Sequence, residues 1–171
     1  MKNIFTITLA LVSSLAFSQI AIGKSSVSNT SVSLEFGNAN KGIILPWVTS
    51  QGAVTGAVNG TIIYDTADKK VKYLKGGSWF DLSINNTGVV DTTIQDTLQE
   101  STSAKAAIGS DGAADNTPGI LVLTDTDKAM VLPKVASPHL NIINPAAGMM
   151  VYDTFNHLVA VYNGTVWSFW R

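Results

Sequence analysis

Cysteine is absent from all 171 residues, which excludes a disulfide framework, a thiolate zinc site, an iron–sulfur centre, a cysteine nucleophile and a lipid-anchored N-terminal cysteine. Histidine is nearly absent too, with His139 and His157 alone. Charge is scarce: 13% of residues are ionic, 11 Lys+Arg stand against 12 Asp+Glu, and no basic run occurs. Nucleic acid and anionic membrane surfaces are therefore poor partners, because counterion release and long-range steering have no charge to act through. No apolar run reaches the roughly 20 residues that a membrane span needs. HExxH, a phosphate-binding glycine loop with its lysine, and a G-x-S-x-G elbow are all missing. The sequence implies neither a cofactor nor an enzyme.

What is present begins with an export signal. Lys2 gives residues 1–18 a positive start, Ile4 to Leu15 an apolar stretch, and Ala16-Phe17-Ser18 a small-x-small cleavage site before Gln19. Export without cysteine fits a bacterium with a diderm envelope. The expected location is extracellular, at the cell surface or attached to the outer membrane, ahead of the periplasm.

The second positive feature is an internal duplication. Gly42-Ile-Ile-Leu-Pro-Trp-Val-Thr49 matches Ala129-Met-Val-Leu-Pro-Lys-Val-Ala136, and Gly60-Thr-Ile-Ile-Tyr-Asp-Thr66 matches Gly148-Met-Met-Val-Tyr-Asp-Thr154. Each is followed by a polar turn, a tyrosine (Tyr73, Tyr162), a glycine turn (Gly76-Gly77, Gly164) and a tryptophan (Trp79, Trp167). A register held over such a distance marks a repeat architecture. The expected organisation is a signal at 1–18, an N-terminal extension at 19–31, one β repeat at 32–82, a Ser/Thr/Asp-rich linker at 83–118 and a second β repeat at 119–171.

Local patterns predict strands. Val32 to Phe36 alternates; Ile43 to Val48 is a short strand whose proline suggests an edge; Thr61–Asp65 and Lys70–Leu74 form a hairpin, and Gly76-Gly77 turns into Trp79–Leu82. Met149–Asp153, Leu158–Tyr162 and Trp167–Trp170 repeat the pattern around Asn163-Gly164. The fold class expected is mainly β: two small antiparallel hairpin or meander repeats joined by a polar linker. In that linker Val90, Ile94 and Leu98 have helical spacing, with Asp91 as an N-cap and Gly109 as a stop, while Thr92, Thr93, Thr97 and Thr102 favour an extended connector.

The residues Leu45, Pro46, Val48, Gly60, Tyr64, Asp65, Thr66, Tyr73, Gly76 and Trp79, with Leu132, Pro133, Val135, Gly148, Tyr152, Asp153, Thr154, Tyr162, Gly164 and Trp167, carry a family likeness. The pattern resembles a β-hairpin module of secreted surface proteins of gliding-type Gram-negative bacteria and is similar to modules near the ends of phage tail fibres. That resemblance implies a structural, assembly or adhesive role with no catalytic residue to transfer. It departs from fibre proteins in lacking a long trimeric stalk.

A repeat of some 50 residues buries too little surface to stand comfortably alone. Tyr64, Tyr73, Trp79, Tyr152 and Tyr162 are read as a shared repeat core. Trp47, replaced by Lys134 in the other repeat, is expected to face solvent as a platform for a sugar or a partner. Trp167, Phe169 and Trp170 are further partner-binding candidates on a strand with two aromatic faces. Asp65-Thr66, Asp91-Thr92 and Asp96-Thr97 resemble O-glycosylation acceptors of the same bacterial group, Thr66 more plausibly serving its turn. Asp125-Thr-Asp127 lacks the rest of a calcium ligand set and reads as an Asx turn, as does Asn38-Ala-Asn40. The leading expectation is a non-enzymatic cell-surface assembly or adhesion subunit that self-associates or binds a protein partner. A carbohydrate-binding module using exposed tryptophans and an accessory subunit docked on an outer-membrane complex are the alternatives.

Overall fold

The computed structural model describes residues 19–99, 101 and 104–171; the export signal at 1–18 lies outside the described residues. The chain is mainly β, as its alternation predicts. Its first half carries β1 (Ile20–Ile22), β2 (Val32–Phe36), β3 (Ile43–Ile44), β4 (Trp47–Val48), β5 (Ile62–Asp65), β6 (Lys70–Lys75) and β7 (Ser78–Asp81). The second half repeats that order with β8 (Ala106–Ile108), β9 (Leu121–Leu123), β10 (Ala129–Val131), β11 (Lys134–Val135), β12 (Met149–Asp153), β13 (Leu158–Tyr162) and β14 (Trp167–Trp170). A 3-10 turn at Gln51–Ala53 follows β4, and a short helix, α1 (Pro138–Asn141), interrupts the loop after β11, with Pro138 at its first turn where a missing N–H costs nothing.

The duplication reaches further upstream than the sequence pattern suggests. β1 lies parallel to β2, and β8 lies parallel to β9, so a parallel two-strand unit precedes each Leu-Pro segment. The stretch expected as N-terminal extension (19–31) contributes β1, and the stretch expected as linker (83–118) contributes β8. The helical spacing of Val90, Ile94 and Leu98 produces no helix among the described residues. Turns occupy 93–97, Ile94 and Leu98 are exposed, and Ala106–Ile108 is a strand. The threonines decide the matter, since their branched side chains disfavour helix.

The Leu-Pro strand is two strands. Pro46 has no N–H to donate, and the backbone changes partner there: β3 pairs antiparallel with β12 of the other repeat, whereas β4 pairs parallel with β5 of its own. The hairpins β5–β6–β7 and β12–β13–β14 form as predicted. Their registers, however, place Tyr73 opposite Ile62 and Val161 opposite Met150. The structural counterpart of Tyr73 is therefore Val161, and that of Tyr162 is Leu74. The two tyrosines that the sequence pattern equates point to opposite faces, because adjacent strand positions alternate.

Two apolar clusters hold the chain. Leu45, Tyr64 and Val71 of the first repeat pack with Ala147, Met150 and Val161 of the second. Val135, Ile142, Met149, Val151 and Ala160 form a second cluster wholly within the second repeat, flanked by Tyr162, Trp167 and Phe169. Among the described residues no helix is long and apolar enough to cross a membrane.

Candidate assembly interface

Each repeat is folded around the aspartate of its Tyr-Asp-Thr triplet. Asp65 accepts the backbone N–H groups of Gln51 at 2.8 Å, Ala67 at 3.0 Å and Asp68 at 3.1 Å. Asp153 does the same for Ser137 at 3.0 Å, Phe155 at 2.9 Å and Asn156 at 3.2 Å. One buried carboxylate thus ties the loop after the Leu-Pro strand to the hairpin turn. The neighbours in the triplet close the corner: Tyr64 and Tyr152 donate their N–H groups to Pro46 and Pro133, and Thr66 and Thr154 donate theirs to Val48 and Val135. Thr66 adds its hydroxyl to Val48 at 3.0 Å, so it serves the turn.

The two corners differ at two positions of consequence, for Asp68 stands where the second repeat has Asn156, whose side-chain N–H donates to Asp153 at 2.8 Å. Lys72 stands where the second repeat has Ala160, and its ammonium is buried against Asp65 at 3.1 Å, Gln51 Oε1 at 2.9 Å and Asp68. Burial alone would push the Asp65 carboxyl up, but the N–H groups of Asp68 and Gln51 and the Lys72 ammonium outweigh it and hold the group below its usual range. Asp153 is likewise held low against burial, by Asn156, Ser137 and Phe155 without a lysine. Sequence reading missed Lys72, because alternation puts it on the same strand face as Lys70, opposite Val71 and Tyr73, where a lysine reads as solvated.

The repeats meet through a face that is different on each side. From the first repeat come β3, Leu45, Trp47 and Tyr64. From the second come the segment Ala147-Gly148, β12 and the turn at Asn163. Leu45 N–H donates to Gly148 O at 3.1 Å, Trp47 Nε1–H to Ala147 O at 2.8 Å and the Tyr64 hydroxyl to Asn163 O at 2.7 Å. Burial and then the nearby Asp65 charge raise the Tyr64 hydroxyl to a pKa of about 12, so it remains a donor. A side chain at Gly148 would strike Tyr64, 2.9 Å from the nearest atom, and φ there is +76°. Only glycine allows this approach. Beside this contact β2 runs parallel to β10, again joining one repeat to the other.

Other candidates fall as follows. Trp47 does not face solvent: it is half-buried against the second repeat, because its N–H finds the Ala147 carbonyl. Tyr64 is fully buried in the shared core, whereas Tyr152 and Tyr162 are half-buried and Tyr162 tilts against Trp167 at 5.2 Å. Tyr73 stacks on Phe80 at 5.5 Å, and Trp79 is half-buried opposite Leu74. Phe169 lies edge-on to His139 at 5.9 Å, and Trp170 is exposed with its N–H on Leu82 O. His157 is exposed at its hairpin turn. Thr97 is exposed and Thr92 half-buried in the connector. Asp125 is taken by Ser110 and by Lys128 at 2.8 Å, which hold its carboxyl well below the usual range.

Residues 107–170 match a family model described as a phage tail like trimerisation region, a stretch shorter than half of the chain. No curated protein and no solved structure matches the chain. The matched stretch begins within β8, the point at which the structure starts its second repeat.

Proposed function

We propose that this protein is a non-enzymatic structural subunit that is exported and works by self-association, as a three-chain assembly at the cell surface. One observation carries the reading: the second repeat, over residues 107–170, is similar to a phage tail like trimerisation region, and the first repeat reproduces its strand order and aspartate corner. The chain therefore holds two modules of one assembly type. The cysteine-free composition and the export signal support placement outside the inner membrane. The half-buried, hydrogen-bonded state of Trp47 weighs against a sugar platform at that residue. The test is native mass spectrometry of the chain purified from its own envelope or secreted fraction. A mass of three chains is the expected result, and a monomer at micromolar concentration rejects the reading. Glycan on Thr92 or Thr97 would register in the same spectrum as excess mass.

A further inference from the structure

The contact between the two repeats has a donor side and an acceptor side, and each repeat owns both. Inside one chain only half of them are used. The first repeat gives its donor side (β2, β3, Leu45, Trp47, Tyr64) to the acceptor side of the second (β10, Ala147, Gly148, β12, Asn163). The donor side of the second repeat comprises β9, β10, Leu132, Lys134 and Tyr152. The acceptor side of the first comprises β3, Asn59, Gly60, β5 and the turn after β6.

We propose that these two sides bind each other between copies of this chain, so that the chains join head to tail by strand pairing. Repeat equivalence fixes the register. Met149 faces Ile44 and Met150 faces Ile43 within the chain; the counterparts put Thr61 opposite Val131 and Ile62 opposite Met130 of the next copy. Likewise the parallel pairing of Leu34 with Met130 and Glu35 with Val131 becomes Leu121 with Ile43 and Val122 with Ile44.

Four observations favour a second copy as the occupant. First, the required backbone edges are open among the described residues: β9 pairs only with β8, β10 only with β2 and β3 only with β12, and on β5 the edge shared with β4 is paired at Tyr64 and Asp65 alone, short of Thr61 and Ile62. Open edges of this kind recruit further strands. Second, nothing lies within 4 Å of a side chain built at Gly60, whose φ is +93°, whereas its counterpart Gly148 is filled by Tyr64 and Trp47. Third, the residues on these sides are apolar and open, with Ile44 56% and Leu121 49% exposed and Phe80 45% exposed beside Tyr73. In the second repeat's contact the equivalent positions are covered: Ile62 and Tyr73 are half-buried whereas their counterparts Met150 and Val161 are buried, and Leu34, the counterpart of Leu121, is buried too. Fourth, one β3 strand can serve both contacts at once, because β12 takes one edge and leaves the other for β9. A contact of unlike sides propagates, closing into a ring if the rotation closes and otherwise growing a filament.

This inference rests on the self-association reading, and its test separates the two. Two single-cysteine chains, Thr61→Cys and Val131→Cys, carry different tags and are mixed and oxidised; the absence of native cysteine makes every crosslink assignable. Directly opposed antiparallel residues lie about 4.5–5.5 Å apart, within disulfide reach. Mixed Thr61→Cys–Val131→Cys dimers are the expected product. An Ile44→Cys/Met149→Cys chain, closing within itself, serves as the positive control. In addition Ile44→Lys, at a side chain exposed in the single chain, should weaken assembly about tenfold or more with unchanged circular dichroism. A native trimer that gives no mixed crosslink while the control closes overturns this interface and spares the self-association reading. A Thr61→Cys/Val131→Cys chain that closes as a monomer also overturns it, by showing that one chain satisfies its own edges. A monomeric native mass removes both.

Discussion

At the scale of single residues the two aspartate corners are a built-in comparison. Asp65 and Asp153 each accept three backbone N–H groups, but only Asp65 also faces a buried lysine. Asp153 stays buried and charged without a lysine, on its three backbone N–H groups and the side-chain amide of Asn156, so neutral donors suffice to carry the corner and Lys72 is secondary. Asp65→Ala removes the acceptor of three donors and leaves the Lys72 ammonium with Asp68 and Gln51 alone; breaking a buried pair costs about 3–5 kcal/mol. Lys72→Ala removes the lysine, as in the second repeat, while keeping the three N–H donors of Asp65, and should cost about 1–2 kcal/mol. Urea unfolding at pH 7 measures both. Equal losses would mean that the ion pair, not the ring of N–H groups, holds the first corner.

At the scale of elements the hairpins were legible because strand alternation and turn residues agree there. The strand that pivots at Pro46 was half legible: a proline marks an interrupted ladder, but only the fold assigns its two halves to different repeats. The offset between Tyr73 and Tyr162 was not legible by eye: the two hairpins have equal turns and the same register, and the second tyrosine stands one strand position later, which turns it to the other face. The turns that set this register carry strain in both repeats. Lys69 and His157 are equivalent exposed residues with φ of +59° and +57°. A left-handed residue other than glycine is disfavoured by about 1–2 kcal/mol, against about 0.5–1 kcal/mol for the greater unfolded-state freedom of glycine. Lys69→Gly and His157→Gly should therefore each stabilise the chain by about 0.5–1 kcal/mol, read as a rise in thermal midpoint. A fall would reveal a side-chain contact that outweighs the strain.

At the scale of the whole molecule the duplication was legible, and its consequence was not. Sequence identity between repeats says that two modules exist; it does not say that one module's Trp47 and Tyr64 close on the other's Ala147, Gly148 and Asn163, because those contacts span about a hundred positions. Trp47 was read as exposed because Lys134 replaces it in the other repeat, and nothing local points to the Ala147 carbonyl that takes its N–H. The clusters also make the repeats unequal in self-sufficiency. The second repeat owns the cluster of Val135, Ile142, Met149, Val151 and Ala160, whereas Leu45, Tyr64 and Val71 of the first find their clustered partners in Ala147, Met150 and Val161. Met150 is 3% exposed and sits between them, its backbone paired with Ile43. Met150→Ala should cost about 2–5 kcal/mol through the lost burial and the cavity left behind. Because the damaged cluster is the first repeat's main anchorage, amide exchange in β5 and β6 should accelerate at least as much as in β12 and β13, although the substituted residue belongs to the second repeat. Acceleration confined to β12 and β13 would mean that the first repeat is held by its own contacts, and that the two modules unfold as independent units.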